Sequence, residues 1–505
     1  MKPRPYDLWR AAQVREFDRI AIEEMGIPGA QLMARAGQAA FTALTDRWPK
    51  ARRLAVLCGT GNNGGDGYVI ARLAQEGGLE VTLFQVGDAD KLAGDALTAA
   101  HAAKKVGLKP VPYEGQDLGD FDVLVDALLG TGLQGEVGGQ YRAAIEALNR
   151  AGKPVLAVDI PSGLHADTGA VLGVATRAWA TVSFIGLKVG LFTGEGPERA
   201  GEVLFDDLEV PERVGQGARP AARLLEAADE LPRALPWRSR TLHKGQAGHV
   251  LVIGGDNGMI GAVRMAGEAA ARSGAGLVTL ATRNTHAALI SAACPHLMAH
   301  GVERVEDLQP LIEQADAVAI GPGLGLELWG RLMFEAVLDC PRPLVVDADA
   351  LKLLAEAPRH RDDWIMTPHP GEAAALLETD AARVQRDRFA AAAELQRRFH
   401  GVCVLKGAGT VVLGPSREGP AVALDGNPGM ATGGVGDVLT GIIASLRAQG
   451  LGVEAAARTG VSLHGAAGDA AADDGGERGL IATDLLPHVR MLANPHARPM
   501  QMSAG

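Results

Sequence analysis

GNPGMATGGVGDVLTGIIASL, residues 426–446, is the stretch on which the reading of this chain turns. Six glycines and one proline fall between Gly426 and Gly441, too many for a strand or a helix interior. Beyond them Val438, Leu439, Ile442, Ile443 and Leu446 recur at helical spacing. A glycine-rich loop therefore opens a helix. Gly433, Gly434 and Gly436 let successive backbone N–H groups turn toward one point, where the helix terminus adds partial positive charge, and the result is an anion pocket. Asp437 falls at or near the N-cap. It either caps its own helix or acts as a general base beside a bound phosphate.

Upstream of this loop the chain alternates strands and helices. HVLVIGG leads to a helix over residues 261–273, followed by the strands GLVTLAT, ADAVAIGPGLG, RPLVVDADAL, DWIMTPHPGE and GVCVLKGAGTVVL, and a helix over 455–472 follows the loop. Such alternation predicts a parallel sheet covered by helices, with ligands at the carboxyl ends of the strands. Several polar residues fall at those ends. Lys406 and Thr410 flank GAG and can meet a nucleotide phosphate, although no G-x-x-x-x-G-K-[ST] is present, which excludes the usual P-loop enzyme. His369, between two prolines, either binds substrate or faces solvent in a rigid turn. Asp347 and Asp349 close the strand PLVVDAD. They orient substrate or magnesium through water or, the reading favoured here, cap the helix over 350–356.

The first half follows the same grammar. Two helices over residues 11–24 and 32–47 precede RRLAVLC, the loop GTGNNGGDG, the helix YVIARLAQEG, LEVTLFQV, a helix over 93–106, FDVLVDAL, the loop LGTGLQGEVGG, a helix over 141–150, and KPVLAVDI ending in PSG. Gly59, Gly61 and Gly64 form a literal G-x-G-x-x-G between strand and helix, but no acidic residue follows convincingly until Asp88, so hydride-transfer use is poorly supported. Asn63, Asp126 and Ser162 sit at three strand ends. They can gather one hard cation, or each can simply turn its own loop. Asp159 ends an apolar strand at the ligand crevice, where pKa tuning is found, and Lys188 either pairs with it inertly or touches phosphate. Composition shifts at residues 211–220, PERVGQGARP, which reads as the linker between domains 1–215 and 221–505.

The 505 residues exceed one core, and 47% hydrophobic with 22% charged residues describe an ordinary globular protein. A net charge of −11 argues against a nucleic-acid partner. The four cysteines have no CxxC spacing, so neither a zinc site nor a disulfide framework is suggested. Neither an apolar leader nor a run of membrane-spanning length is evident, and a soluble cytoplasmic protein without a membrane partner is expected.

With GTGNNGGDGY, LLGTGL and DIPSG in one half, and IGPGLG, VDADAL, TPHPGE, KGAGT and GNPGMATGGVGD in the other, the chain resembles the bifunctional NAD(P)H-hydrate repair enzymes. Motif order matches over nearly the full length. The resemblance implies an N-terminal Rossmann-like parallel-sheet domain that epimerises R- and S-NAD(P)HX. It implies a following ribokinase-like α/β domain that dehydrates S-NAD(P)HX at the expense of ADP, giving AMP and phosphate. It implies that Asn62, Asn63, Gly64, Gly65 and Asp66, with Gly130, Thr131, Gly132, Leu133, Gln134, Gly135, Glu136 and Asp159, hold the hydrate in the first half, with K⁺ at Asn63, Asp126 and Ser162. In the second half Ala262, Gly323, His369 and Asp437 contact the hydrate. Lys406, Gly407, Ala408, Gly409, Thr410 and Gly436 contact the adenine nucleotide, whose phosphoryl transfer calls for Mg²⁺. Asp437 and Asp159 are the catalytic candidates, the partners are NAD(P)HX and ADP, and a homo-oligomer is expected. Ala34 stands where the family commonly has an acid, and Val435 where a small hydroxyl residue is frequent. Two rivals remain: a small-molecule kinase releasing a stable phosphate ester, and a non-catalytic binding module in the first half.

Overall fold

The computed structural model describes residues 5–496. The chain divides into two compact units, Met1–Arg223 and Leu224–Gly505.

In the first unit the aliphatic runs of Arg53–Cys58, Val123–Ala127, Val155–Val158 and Ala180–Phe184 are buried almost throughout, as both faces of a helix-covered parallel sheet require. The seven-stranded sheet runs Val111–Pro112, Glu80–Gln85, Arg53–Cys58, Val123–Ala127, Val155–Val158, Ala180–Phe184, Glu202–Asp206, and every pair is parallel. Strand order reverses between Arg53–Cys58 and Val123–Ala127, so their following loops part and open a crevice at the carboxyl ends.

The GTGNNGGDG loop is shorter than its composition suggests. The helix begins at Asn62 and runs to Glu76, so Gly64, Gly65 and Gly67 are helical. Their role is close approach rather than an unusual backbone angle. A Cβ on Gly64 would lie 2.1 Å from the Gly59 carbonyl oxygen, and one on Gly67 would lie 2.6 Å from the Ala127 Cβ.

Residues 11–24 are α-helical only over Ala11–Arg19. A π-turn, Ile20–Glu24, follows and is closed by Met25 N–H on the Ile20 carbonyl at 3.0 Å. Leu8 and Trp9 pair in parallel with Leu187 and Lys188, while Asp7 and Leu8 pair antiparallel with Arg223 and Ala222. Val214, inside the expected linker, is buried in the cluster that holds Phe17 and Val210, so this segment is packed on the first unit.

In the second unit the parallel strands lie in the order Met298–Gly301, Leu277–Thr282, His249–Ile253, Ala317–Ile320, Leu344–Val346, Trp364–Met366, Val402–Leu405. Thr410–Leu413 and Ala421–Ala423 continue it antiparallel. Order reverses between His249–Ile253 and Ala317–Ile320. Val435–Ala448 packs against Ile260–Arg272, and the helices come so close at Gly441 that a Cβ there would lie 2.0 Å from the Ala266 carbonyl oxygen. Val438, Leu439, Ile442, Ile443 and Leu446 are all buried, each contributing about 1.5–3 kcal/mol. Among the described residues no helix is long and apolar enough to cross a membrane.

Candidate active sites

The crevice of the first unit holds a cavity of about 640 Å³. Asp159 directly follows its strand with φ +64°, a left-handed conformation that is uncommon outside glycine and that aspartate tolerates better than most residues. Ile185, on the cavity wall, has φ +61°. The Asp159 carboxylate accepts from Phe184 N–H at 3.2 Å and forms a salt bridge with Lys188. Lys188 is 1% exposed and also donates to the Phe184 carbonyl at 3.0 Å and the Ser183 hydroxyl at 3.2 Å. Lys188 therefore pairs with Asp159, one of its two sequence readings, but the pair faces the cavity rather than a closed core.

Three more carboxyls, Asp66, Asp18 and Asp95, line the same cavity. Asp66, in the first turns of its helix, is raised well above the usual carboxylate range by burial and by the charges of Asp159 and Asp18. Asp18 on Ala11–Arg19 is raised to about 6 by burial, with Lys188 opposing and Asp159 adding. Sequence reasoning missed Asp18, because no motif surrounds it.

Asn62, Asn63, Asp66, Gly130, Thr131, Gly132, Leu133, Gln134 and Asp159 line the cavity. Gly64 and Gly65 do not. A Cβ on Gly64 would meet Gly59 and one on Gly65 would meet Met33, so both glycines are required for packing. Gly135 and Glu136 also lie off the lining, Glu136 beside Gly173.

Asp126 is completely buried and accepts the Ser162 hydroxyl at 2.6 Å and the Ser162 N–H at 2.8 Å. Leu129 N–H donates to the Ser162 oxygen at 2.8 Å, and Asn63 lies against the adjacent Gly130. Both polar atoms of the Asn63 amide are buried without a hydrogen-bond partner, which costs about 1–3 kcal/mol per group unless a ligand meets them. Burial raises the Asp126 carboxyl despite its hydrogen bonds. One buried carboxylate, one hydroxyl and one orphaned amide form a donor set that fits a weakly hydrated monovalent cation.

In the second unit the glycine loop behaves differently from its sequence reading in one respect. Gly434, at φ +90°, is the N-cap, and the helix starts at Val435, so Asp437 lies inside the first turn and is not a cap. No described residue donates a hydrogen bond to its carboxyl. Burial, and next the charge of Asp347, raise Asp437 to about 7 against the pull of Lys406.

Asp347 occupies the N-cap position of Ala348–Glu356, but its side chain does not cap. It accepts Lys406 Nζ at 2.8 Å and the Thr440 hydroxyl at 2.7 Å, and the following Ala348 has φ +49°. Asp349 accepts Gly325 N–H at 3.0 Å and Lys352. The favoured capping reading of both aspartates is thereby corrected: a tertiary ion pair and a neighbouring loop take the carboxylates. Burial pulls the Lys406 ammonium down, but Asp347 and Glu372 outweigh it and its pKa stands above the usual value. A Cβ on Gly436 would lie 3.3 Å from Lys406 Nζ, so this glycine keeps the ammonium at the mouth of the helix.

His369 does cap. Its Nδ1 accepts from Gly371 N–H at 2.9 Å and Glu372 N–H at 3.3 Å, and Nε2 of the half-exposed ring lies 3.3 Å from Glu372 Oε1. Ala262 and Gly323 are brought together: a Cβ on Gly323 would lie 3.2 Å from the Ala262 Cβ. Gly407, Ala408 and Gly409 form the exposed bend between Val402–Leu405 and Thr410–Leu413, and Thr410 bonds across it to the Gly407 carbonyl at 3.0 Å.

Two supporting residues gave no sequence signal. Arg388, fully buried, donates to the Leu405, Lys406 and Gly409 carbonyls at 3.0, 3.2 and 3.4 Å and so latches the bend from below. His464 lies 2.9 Å from the Val435 carbonyl through Nε2, which must carry the proton because a carbonyl only accepts. Burial lowers its pKa to about 4, so it stays neutral while steadying the turn that carries Asp437.

Comparison with known proteins separates the same two regions. Residues 29–190 match the model of the YjeF-related protein N-terminus, and residues 250–490 match that of NAD(P)H-hydrate dehydratase. A bifunctional NAD(P)H-hydrate repair enzyme from Coxiella burnetii is 51% identical over 97% of this chain and 99% of its own length. The chain belongs to the bifunctional NAD(P)H-hydrate repair enzyme family. A family member from Escherichia coli is 43% identical over 97% of this chain and 95% of its own. A ribokinase-like superfamily protein from Enterococcus faecalis superposes with a TM-score of 0.50 at 30% identity, covering 55% of this chain and 98% of that one. The repair-enzyme family thus accounts for both halves in order, and the ribokinase-like fold for the second.

Proposed function

We propose that the first unit interconverts R- and S-NAD(P)HX and that the second dehydrates the S form with ADP as phosphoryl donor. The observation that carries this reading is the match to bifunctional relatives across essentially both full lengths.

For dehydration, hydroxide is a poor leaving group from carbon 6 of the hydrated ring, and phosphorylation supplies a better one. Asp437, raised to about 7, accepts the hydroxyl proton as that oxygen attacks the terminal phosphoryl of ADP. Amides at the start of Val435–Ala448 and the Lys406 ammonium stabilise the charge on the transferring group. AMP leaves, the ring-nitrogen lone pair expels phosphate from carbon 6 as the iminium forms, and loss of a carbon 5 proton to solvent or the departing phosphate restores the ring double bond. Magnesium carried by the nucleotide would neutralise phosphate charge, while Asp347 is already engaged by Lys406 and Thr440.

For epimerisation, Asp159 is the acid/base at carbon 6, and Lys188 fixes its carboxylate. Asn63, Asp126 and Ser162 would hold K⁺, which balances the buried Asp126 charge and ties the loops around the hydrate together.

The test is to mix the protein with hydrated NADH and ADP and follow nicotinamide absorbance and product masses. NADH, AMP and phosphate are expected, with both epimers consumed. A stable phosphate ester instead establishes a kinase, and an R epimer that persists at its unassisted rate removes the epimerase.

A further inference from the structure

Resting on the epimerase reading, we propose that Asp18 is a second catalytic residue of the first unit, working on carbon 6 opposite Asp159. Asp18 lies outside residues 29–190, the part of the unit that the family model covers. The fold nevertheless brings it to the cavity. Ala11–Arg19 borders the cavity, with Val14, Arg15, Asp18 and, within the π-turn, Ile22 on the lining.

Three contacts hold this helix in place. Ala11 N–H donates to Asp167 at 2.7 Å, Arg15 donates to the Thr131 carbonyl at 3.3 Å, and Gln13 donates to the Arg219 carbonyl at 2.8 Å. Phe17, the neighbour of Asp18, is buried in the core and stacks edge-on against Trp9 at 4.9 Å. The helix is therefore part of the wall. The Asp18 carboxyl accepts no hydrogen bond from any described residue, although burial holds it near pKa 6, midway between donor and acceptor.

Inverting carbon 6 needs a proton donor on one face and an acceptor on the other. The Asp18 carboxyl gives its proton to the carbon 6 hydroxyl, and the carbon–oxygen bond breaks as the ring-nitrogen lone pair forms the iminium. Water leaves. Another water adds to the opposite face of carbon 6, its proton passes to the Asp159 carboxylate, and the iminium electrons return to nitrogen. One water is lost and one gained. The proton that moved from Asp18 to Asp159 is restored through solvent, and the reverse direction exchanges the two roles. Asp159 is bonded to Lys188 and Phe184 N–H whereas Asp18 is unpartnered, so the two carboxyls differ in environment, as such a division of labour requires.

The charged groups facing Asp18 are Asp66 from Asn62–Glu76, Asp159 and Lys188, with Asp95 further along the wall and Arg15 on its own helix. The experiment uses the full chain. Epimerisation above the unassisted rate is measured from pH 5 to 9 for the parent, Asp18→Asn and Asp18→Glu, with thermal melting and S-NADHX dehydration as controls. Asp18→Asn is expected to lower epimerisation kcat about 10²–10⁴-fold at a KM within a few-fold of the parent, and to abolish the limb near pH 6. Asp18→Glu is expected to restore part of the rate together with the limb. A rate within threefold of the parent and an unchanged profile overturn the assignment, as does an equal loss in both variants with the limb retained. A parent that fails to epimerise overturns the underlying reading instead.

Discussion

Lys406 Nζ lies 2.8 Å from Asp347 Oδ1, an ion pair with the aspartate 2% and the lysine 19% exposed in their side chains. The pair sits against Gly436, within reach of the glycine pocket. Removing Asp347 leaves the Lys406 ammonium with only the longer 3.9 Å contact to Glu372 as an ion pair. Asp347→Asn is expected to destabilise the second unit by about 3–5 kcal/mol and to weaken ADP-dependent dehydration. Urea unfolding checks the first part. A loss below about 1 kcal/mol would mean that water already screens the pair.

Asp437→Asn separates catalysis from stability. Dehydration is expected to fall about 10²–10⁴-fold with nucleotide binding near normal. The folded-state pKa of about 7 stands above the ordinary value of 3.8, so ionised Asp437 opposes folding. That penalty is absent at low pH, grows between about pH 4 and 7, and is constant above. The asparagine variant should therefore gain roughly 1–3 kcal/mol over the parent at pH 8, and progressively less as pH falls toward 4. Melting curves at both pH values decide. The parent's dehydration rate should rise through pH 7, and a flat profile would remove Asp437 as the base.

Epimerisation is expected to depend on K⁺, because the Asn63 amide is orphaned beside the Asp126–Ser162 pair. The comparison is the epimerase rate in K⁺ against a large organic cation at matched ionic strength, with Asp126→Ala alongside. Equal rates in both salts would show that the three side chains hold no ion.

Gly64→Ala tests whether the glycine-rich segment is there for packing. The new Cβ would lie 2.1 Å from the Gly59 backbone oxygen, which cannot rotate away. A loss of at least about 1–3 kcal/mol is expected, with epimerisation falling in step. Gly138→Ala meets nothing within 4 Å, lies off the cavity lining and serves as the tolerated control.

Much of the sheet architecture was legible because parallel strands buried on both faces leave uninterrupted aliphatic runs, as in LAVLC, VLVDA and PVLAV. Asp159 and Lys406 directly follow such runs, and Asp437 was marked by the glycine-rich stretch that opens its helix, so these residues stand out in the sequence. Glycines were harder to read. Composition cannot tell a glycine that turns the chain, such as Gly434, from one that admits a neighbour, such as Gly64. Asn284–Ala293, Met298–Gly301 and Val305–Gln314 went unassigned, because alanines blur the first and Pro310 interrupts the last. Asp18, Arg388 and His464 act over long sequence separations, and only tertiary packing reveals their targets.

On the reading that the bend after Lys406 meets the nucleotide, Arg388 has a consequence for the heat of that binding. A loop that stiffens around its ligand loses conformational entropy at that moment. Here the carbonyls of Leu405, Lys406 and Gly409 are already held from the protein side, so the bend is ordered before any nucleotide arrives. Calorimetry on the parent should record little entropic opposition from this loop. With the guanidinium shortened to Arg388→Lys, the same nucleotide should bind with a larger release of heat, a larger entropic loss and a slower approach.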